Sequence, residues 1–597
     1  MKTSRRGFIR CAGAFPLVGM VTSAWAGEKP LLRIGIMTDT HIGETKASCG
    51  RVKLACELFR RQNVDMVAHV GDLADYHYPK GYAAYRSVVN EAFEGLAPSA
   101  RPQELFVYAA HDTFAYGGRQ KRSEWPKYID EAYSDMQRLV RAPNGPYASG
   151  SIKGFPYVTF PQTGTKGVDW PRIEKMVADA VAANPGKPVF VFAHVPPAGT
   201  TRTGRGNSKE TALFSKYPQI VNISGHTHGS LADERAIWQG SFTSMNAGCL
   251  QNWGDGRDGI VGNSVKRMNN YGVVVLEVFA DRLVFRRFDV RDGEEYRADR
   301  PWTVPWPFDP AAAPYRPDVR RARAEVPAFA AGAALKVTPD ADGDGVSLSI
   351  PATGETRAYV YRVRLDRCGG NGDWHPLARR DFFGDFWQRR QDWVASFEQK
   401  FAAAYFAERA RYRFRVSPVN CWGVEGEALE TAFSAPESCV PHKVVWSSDD
   451  PMRDCEFRFG LSGGDLVPKD GDFYRMDARA ARLVLPKEMW DGPKGTRFRF
   501  VADIRTVQSS WPTWTIVLRN PMPMSNAFGR ISTPDGNSGS LRYVVDFAKA
   551  NSSHAYYLLV REGGVGNIRF DRIRVERWHD VAAGGVSTLI PTHDLQR

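Results

Sequence analysis

Long apolar runs are scarce in this sequence. Beyond the N-terminus no stretch of about 18 apolar residues occurs, so no helix there is suited to spanning a bilayer, and the mature protein is expected to be soluble. Cysteine is also rare: eight in 597 residues, with neither CxxC pairs nor regular spacing. Basic residues exceed acidic ones, yet no lysine or arginine block stands out, so nucleic acid is not expected as a partner. What is present is ordinary globular composition, 43% hydrophobic and 24% charged. At this length several domains are expected, because single cores stop growing near about 250 to 300 residues.

Residues 1–26 read as an address. Ser4-Arg5-Arg6-Gly7-Phe8-Ile9-Arg10 precedes the modestly apolar Ala12 to Val21, and Ala24-Trp25-Ala26 is a small-x-small cleavage site. This resembles a bacterial twin-arginine signal peptide and implies export of a folded protein to the periplasm or beyond the cell. Losing Lys2, Arg5, Arg6 and Arg10 and no acid lowers the formal charge from +13 to +9. A basic surface of this kind raises the local concentration of anionic substrates. Export permits a disulfide, for instance Cys439–Cys455 or Cys368–Cys421, but the sequence does not decide the pairing.

Residues 31–300 alternate short apolar runs with amphipathic stretches, the pattern of an α/β domain. Strands are expected at Leu31 to Met37, Asp65 to Val70, Glu104 to Ala109, Val189 to Phe192 and Gln219 to Ser224. Helices are expected at Val52 to Arg61, Tyr82 to Phe93 and Trp170 to Ala183. Residues 301–327, with Pro305, Pro307, Pro310, Pro314 and Pro317, read as a proline-, alanine- and arginine-rich linker. The segment Arg119 to Gly150 shows no assignable pattern.

Chemistry concentrates where the apolar runs end. In order come Asp39-Thr40-His41, Gly71-Asp72 with Asp75, His111-Asp112, His194, and Gly225-His226-Thr227-His228. Alone, the first could cap a helix and a Gly-Asp pair is a common turn. Two histidines two apart after a β-rich run seldom serve only packing. His69 and His77 lie off these motifs and read as structural.

This ordered series resembles the calcineurin-like metallophosphoesterase family, whose signature runs D-x-H, G-D-x-x-D, G-N-H-[ED], H and G-H-x-H. The resemblance implies a four-layer α/β/β/α sandwich and hydrolysis of a small or polymeric phosphomonoester or phosphodiester. It gives one ion to Asp39, His41 and His228, a second to Asp72, His194 and His226, with Asp72 bridging. His111 would contact the phosphoryl oxygens or protonate the leaving alkoxide, and Asp112 would orient His111 or lie behind it. Paired divalent ions polarise a phosphoryl group and lower the pKa of an attacking water. The mixed carboxylate and imidazole set favours one or two ions of manganese, iron or zinc.

One position departs from the pattern. The family asparagine is Ala110, which cannot coordinate, so the second ion would lack an oxygen donor unless water, Asp75, His77 or some distant side chain supplies one. A weaker second ion, a one-metal enzyme, and a degenerate protein that binds phosphorylated ligands or glycans with little turnover are all consistent with that loss. Retention of every other ligand favours an active hydrolase.

Beyond the linker the chain reads as all-β. Residues 328–436 resemble a fibronectin type III-like sandwich, on Gly345 to Ile350, Tyr359 to Leu365, Tyr412 to Pro418 and the turn Asn420-Cys421-Trp422-Gly423. Residues 440–580 resemble a galactose-binding-type jelly roll, followed by a tail at 581–597. Trp446, Trp490, Trp511 and Trp514 offer an aromatic platform for carbohydrate there. Asp340 to Gly345 begins like an EF-hand loop, but Pro351 stands where a bidentate glutamate is required, so a hairpin turn is expected.

Overall fold

The computed structural model describes residues 28–43, 46–74, 79–113, 125–162, 168–201, 206–251, 271–340, 345–406, 410–434, 442–460, 464–477, 480–490, 492–493, 495–507, 514–519, 527–532, 539–549, 557–562 and 565–578. The expected signal peptide, the tail, Asp75 and His77 lie outside these residues.

The first domain runs β1 (Leu32–Met37), α1 (Lys46–Arg61), β2 (Met66–His69), α2 (Pro79–Ala92), β3 (Gln103–Phe106), α3 (Ala110–Thr113), α4 (Trp125–Asp135), β4 (Ala148–Ile152), β5 (Phe155–Thr159), α5 (Trp170–Ala182), β6 (Val189–Phe192), α6 (Ser208–Phe214), β7 (Ile220–Ser224), β8 (Ile237–Gln239), β9 (Thr243–Asn246), β10 (Gly272–Val278), β11 (Arg282–Asp289) and β12 (Trp302–Pro305). Two six-stranded sheets result, ordered β12-β11-β10-β1-β2-β3 and β4-β5-β6-β7-β9-β8. β1, β2 and β3 are mutually parallel, and so are β5, β6 and β7.

Alternation within the strands explains the packing. Leu32, Ile34 and Ile36 of β1 share one buried cluster with Phe190, Phe192, Val221 and Ile223 of the other sheet. Met37 and Val67, pointing the other way, pack with Val52 and Phe59 of α1 and with Tyr82, Tyr85 and Val89 of α2. Val189 and Val191 meet Ile173 and Val177 of α5 and Leu213 and Phe214 of α6. Strands covered on both faces need apolar residues at nearly every position, which is why they appear as unbroken runs in the sequence. α5 begins where the Asp169 side chain accepts the Arg172 amide.

Segment 301–327 is not a linker throughout. Trp302–Pro305 is an edge strand paired with β11, Trp302 is fully buried, and Trp306, Phe308 and Tyr315 pack on the cluster between the sheets. Proline is tolerated at a sheet edge and in the first turn of a helix, so Pro305 ends the strand and Pro317 opens the helix α7 (Pro317–Ala322). The unassigned Arg119 to Gly150 segment contains α4 and the start of β4.

All-β sheets follow. Lys336–Pro339, Gly345–Pro351 and Ser396–Ala402 form a three-stranded sheet. Its core partner is a four-stranded sheet of Trp374–Phe383, Val360–Cys368, Arg411–Val419 and Leu429–Ser434. The first two strands form an antiparallel pair joined through the Asp340 to Gly345 segment, of which 341–344 lie outside the described residues. A six-stranded and a five-stranded sheet then enclose a second β core containing Phe457, Leu483, Phe498, Phe500, Phe570 and Ile573. Trp490 is buried in that core and Trp446 packs against it, while Trp511 lies outside the described residues, as does the Trp514 side chain. The expected carbohydrate platform is therefore not supported: Trp490 fills the core, where the large indole surface is better buried. Cys368, Cys421 and Cys455 are unbridged, so the Cys368–Cys421 disulfide is not formed, and Cys439 lies outside the described residues. Among the described residues no helix is long and apolar enough to cross a membrane.

Sheet and helix approach closely at Gly35, where a Cβ would lie 2.7 Å from the Phe59 ring of α1. Gly35→Ala is expected to cost about 1–3 kcal/mol through overpacking. A lowered first thermal transition would register this, whereas an unchanged one would mean that α1 yields freely.

Candidate metal centre

Each candidate ligand follows the carboxyl end of a strand. Asp39 and His41 follow β1, Asp72 follows β2, His111 follows β3, His194 follows β6, and His226 and His228 follow β7. The two sheets bring these ends together. Among the described residues, three groups could hold an ion: Asp39, His41 and His228; His41, Asp72 and His111; and Asp72, His194 and His226, with ligand atoms in each group within 4.8 Å of one another. His41 Nε2 and His228 Nε2 are 3.1 Å apart. His228 Nε2 lies 3.0 Å from Asp39 Oδ1, and His194 Nε2 lies 3.0 Å from Asp72 Oδ2.

The opposite sides of these groups are tied down. Asp39 Oδ2 accepts from Thr38 Oγ1 at 2.7 Å and from the His226 amide at 2.9 Å, which turns Oδ1 toward the imidazoles. Asp72 Oδ1 accepts from the His111 amide at 3.1 Å. His194 Nδ1 donates to the Val70 carbonyl at 2.8 Å, so its Nε2 faces the centre. His69 is structural: Thr40 gives its proton to the Leu73 carbonyl, so His69 Nε2 donates to Thr40 Oγ1 at 3.0 Å and clips the loop between the first two ligands. Burial holds the His69 imidazole neutral, pushing it down to about 3.

The two glycines act differently. Gly71 takes φ +90, and a Cβ there would meet the Ala109 Cβ and His194 Nδ1 at 2.7 Å. A Cβ at Gly225 would fall 2.0 Å from Thr38 Oγ1 and 2.5 Å from Asp39 Oδ2. The second glycine is thus required by close approach of the facing loop.

Electrostatics fit a cation. Burial would raise the Asp39 carboxyl, but the charges of His228 and His194 hold it well below the carboxylate range; at Asp72, His194 likewise overcomes burial. Burial opposes charge on His194, yet Asp72 and Asp39 push it up to about 9. An entering ion competes with that proton. Asp39 Oδ1 and His194 Nε2 are buried atoms without a hydrogen-bond partner of suitable geometry, and their neighbours are other ligand-type atoms. The set of buried carboxylates and imidazole nitrogens suits a divalent transition ion.

Asp112 has its carboxylate among backbone amides. It is fully buried, with its carboxylate accepting the Ala74 and Ala109 amides at 3.0 and 3.2 Å. It ties the loop after β2 to the loop after β3, so it is a positioning residue. Ala110 opens α3 with only a methyl group to offer.

Sequence reading missed Gln162 and Glu210. Gln162 accepts from the Val195 amide at 2.5 Å and donates to Glu210 Oε1 at 2.8 Å, linking β5, the His194 loop and α6. Neither residue stands in a spaced motif, and their pairing exists only in space.

The family model described as calcineurin-like phosphoesterase matches residues 32–230, so this chain carries a calcineurin-like phosphoesterase domain. No curated protein matches the chain. Among solved structures, it is similar to a dimetal phosphatase from Danio rerio, at 12% identity and TM-score 0.29, over 47% of this chain and 100% of that one. It is also similar to a purple acid phosphatase from yellow lupin (Lupinus luteus) seeds, at 15% identity and TM-score 0.33, over 46% of this chain and 53% of that one.

Glu210 generates a pH prediction. Burial pushes its carboxyl from 4.5 up to about 7, against the pull of the Gln162 bond. The folded chain then holds an extra proton between those values, so stability is full below the lower one, falls through the window, and levels off above the upper one. Glu210→Gln, which carries no such proton, is expected to remove this fall and to gain up to about 3 kcal/mol over wild type at about pH 8. Melts at about pH 4.5 and pH 8 check it; an unchanged fall in the variant would contradict it.

Proposed function

We propose that this chain is an exported, metal-dependent phosphoesterase acting on a phosphomonoester or phosphodiester. The observation that carries it is the convergence of Asp39, His41, Asp72, His194, His226 and His228, with the outward polar atoms of Asp39, Asp72 and His194 tied to backbone. We read the two sheets and their flanking helices as the four-layer α/β/β/α sandwich. The β regions that follow read as a fibronectin type III-like and a jelly-roll domain. Arg5-Arg6 and the Ala24-Trp25-Ala26 site support export by the twin-arginine route to the periplasm or outside the cell.

Asp39, His41 and His228 would hold one ion, and Asp72, His194 and His226 a second, of manganese, iron or zinc. Such ions, when bound, polarise the phosphoryl group and acidify the attacking water. His111 is half-buried in the crevice beside His41, ring centroids 4.8 Å apart, where its imidazole can meet a phosphoryl oxygen or pass a proton to the leaving alkoxide. Its backbone amide fixes Asp72, so one residue positions a ligand and serves the substrate.

Asp72→Ala and His228→Ala are each expected to lower hydrolysis of an aryl phosphate by about 100-fold or more, since outer partners of metal ligands alone cost 10–100-fold. Retained circular dichroism would show that the fold persists, and wild-type rates in both variants would end the proposal. The loss at Ala110 favours one second reading, a phospholigand binder with little turnover. Ala110→Asn is expected to raise both ion content and rate; binding without turnover in wild type under all three metals would favour the binder.

A further inference from the structure

The loop that carries His226 and His228 continues into a segment held by a different domain. Both ligands have left-handed backbone, φ +67 and +50, a conformation that persists in such residues only where surroundings over-determine it. Downstream, Leu231 is fully buried against Gly248 and Gly272, where a Cβ would lie 2.9 and 2.6 Å from its side chain. Its carbonyl accepts from Nη1 of Arg287, a fully buried arginine of β11. The same guanidinium donates to Glu234 Oε1 at 3.0 Å and lies 4.0 Å over the Trp302 ring. Glu234 Oε2 accepts from Trp302 Nε1 and from Arg320.

Two arginines then cross to the all-β region. Arg235 grips Asp233 through Nε at 3.0 Å and Nη2 at 2.7 Å, and its guanidinium lies 4.5 Å over the ring of Tyr359. Arg320, bound to Glu234, lies 5.4 Å from the ring of Trp422, in the Asn420 to Gly423 turn. Tyr359 packs in a small buried cluster with Val360, Phe383 and Val419. Arg389 pairs with Asp292 at 2.9 Å across the same junction. A cation over an aromatic ring is directional and strengthens when desolvated.

We propose that the all-β domain is a working part of the metal centre. Tyr359 and Trp422 hold Arg235 and Arg320, these hold Asp233 and Glu234, and that segment fixes the loop bearing His226 and His228. Tyr359 is thereby a positioning residue for ligands in another domain. This rests on the metal-centre reading above.

The test titrates the metal-free full-length chain with manganese(II) by calorimetry, alongside thermal melts. Tyr359→Ala is expected to weaken binding by about 10-fold, the lower end for outer partners of metal ligands. Tyr359→Phe, which keeps the ring, should bind as wild type does. Arg235→Lys, which keeps the charge but loses the flat bidentate grip, should shift affinity in the same direction as Tyr359→Ala and serves if that variant fails to fold. Wild-type affinity in Tyr359→Ala with only a lowered melting temperature, or in Arg235→Lys, overturns the inference while leaving the metal centre intact. A wild-type chain that binds no manganese in this titration, and no zinc in a parallel one, ends the metal-centre reading and this inference with it.

Discussion

Left-handed backbone at the strand ends is the constraint on which this domain turns. Asp39, His41, Asp72, His226 and His228 have positive φ, five of the nine described non-glycine residues that do. For a residue with a Cβ this costs about 1–2 kcal/mol. The conformation lets a strand stop abruptly and aim the next side chain sideways into the crevice rather than along the sheet. Only His194 among the six candidate ligands is free of it, and that residue is instead turned by its bond to the Val70 carbonyl.

Strain of that size needs a frame, and much of it is polar and buried. The Asp39 amide donates to the Gly71 carbonyl, the His41 amide to that of Asp72, and the Gly225 amide to that of His194. Asp112 joins two loops, Thr38 and His69 clip a third, and Gln162 braces the fourth. These ties hold carboxylates and imidazoles close together, where like lone pairs would repel. A divalent ion relieves that repulsion, so the frame that strains the backbone also makes the cation-binding arrangement the favoured one.

The strands and the clustered candidate ligands were legible because each is encoded locally. An apolar run marks a strand buried on both faces, and the residue types after it sit at fixed offsets. β6 and the ordered ligand motifs needed nothing from the rest of the chain. Arg287, Glu234, Gln162 and Glu210 were not legible, because each acts across 33 or more residues through a partner with no spacing rule. The stretch 301–327 misled for the opposite reason. Its prolines are genuine local signals, but Trp302 and Tyr315 carry enough apolar surface to bind the segment to the sheet edge, and tertiary burial overrode local preference. Asp112 stands in the motif, yet its role is set by which amides reach it, which the motif does not state.

The alanine at position 110 gains meaning from this geometry. In catalytic zinc sites three protein ligands commonly leave a position open for water or substrate, whereas four close it. Asp39, His41 and His228 make one group of three, and Asp72, His194 and His226 make another. Under the proposed function, a missing fourth donor would lower affinity for a second ion but would not remove the open coordination that hydrolysis needs. Both carboxylates have one oxygen held by backbone amides and one turned inward, so neither can swing to compensate for the lost donor without releasing its loop. On that reading the effect of the substitution should fall on how tightly a second ion would be held rather than on how the groups around it are aimed.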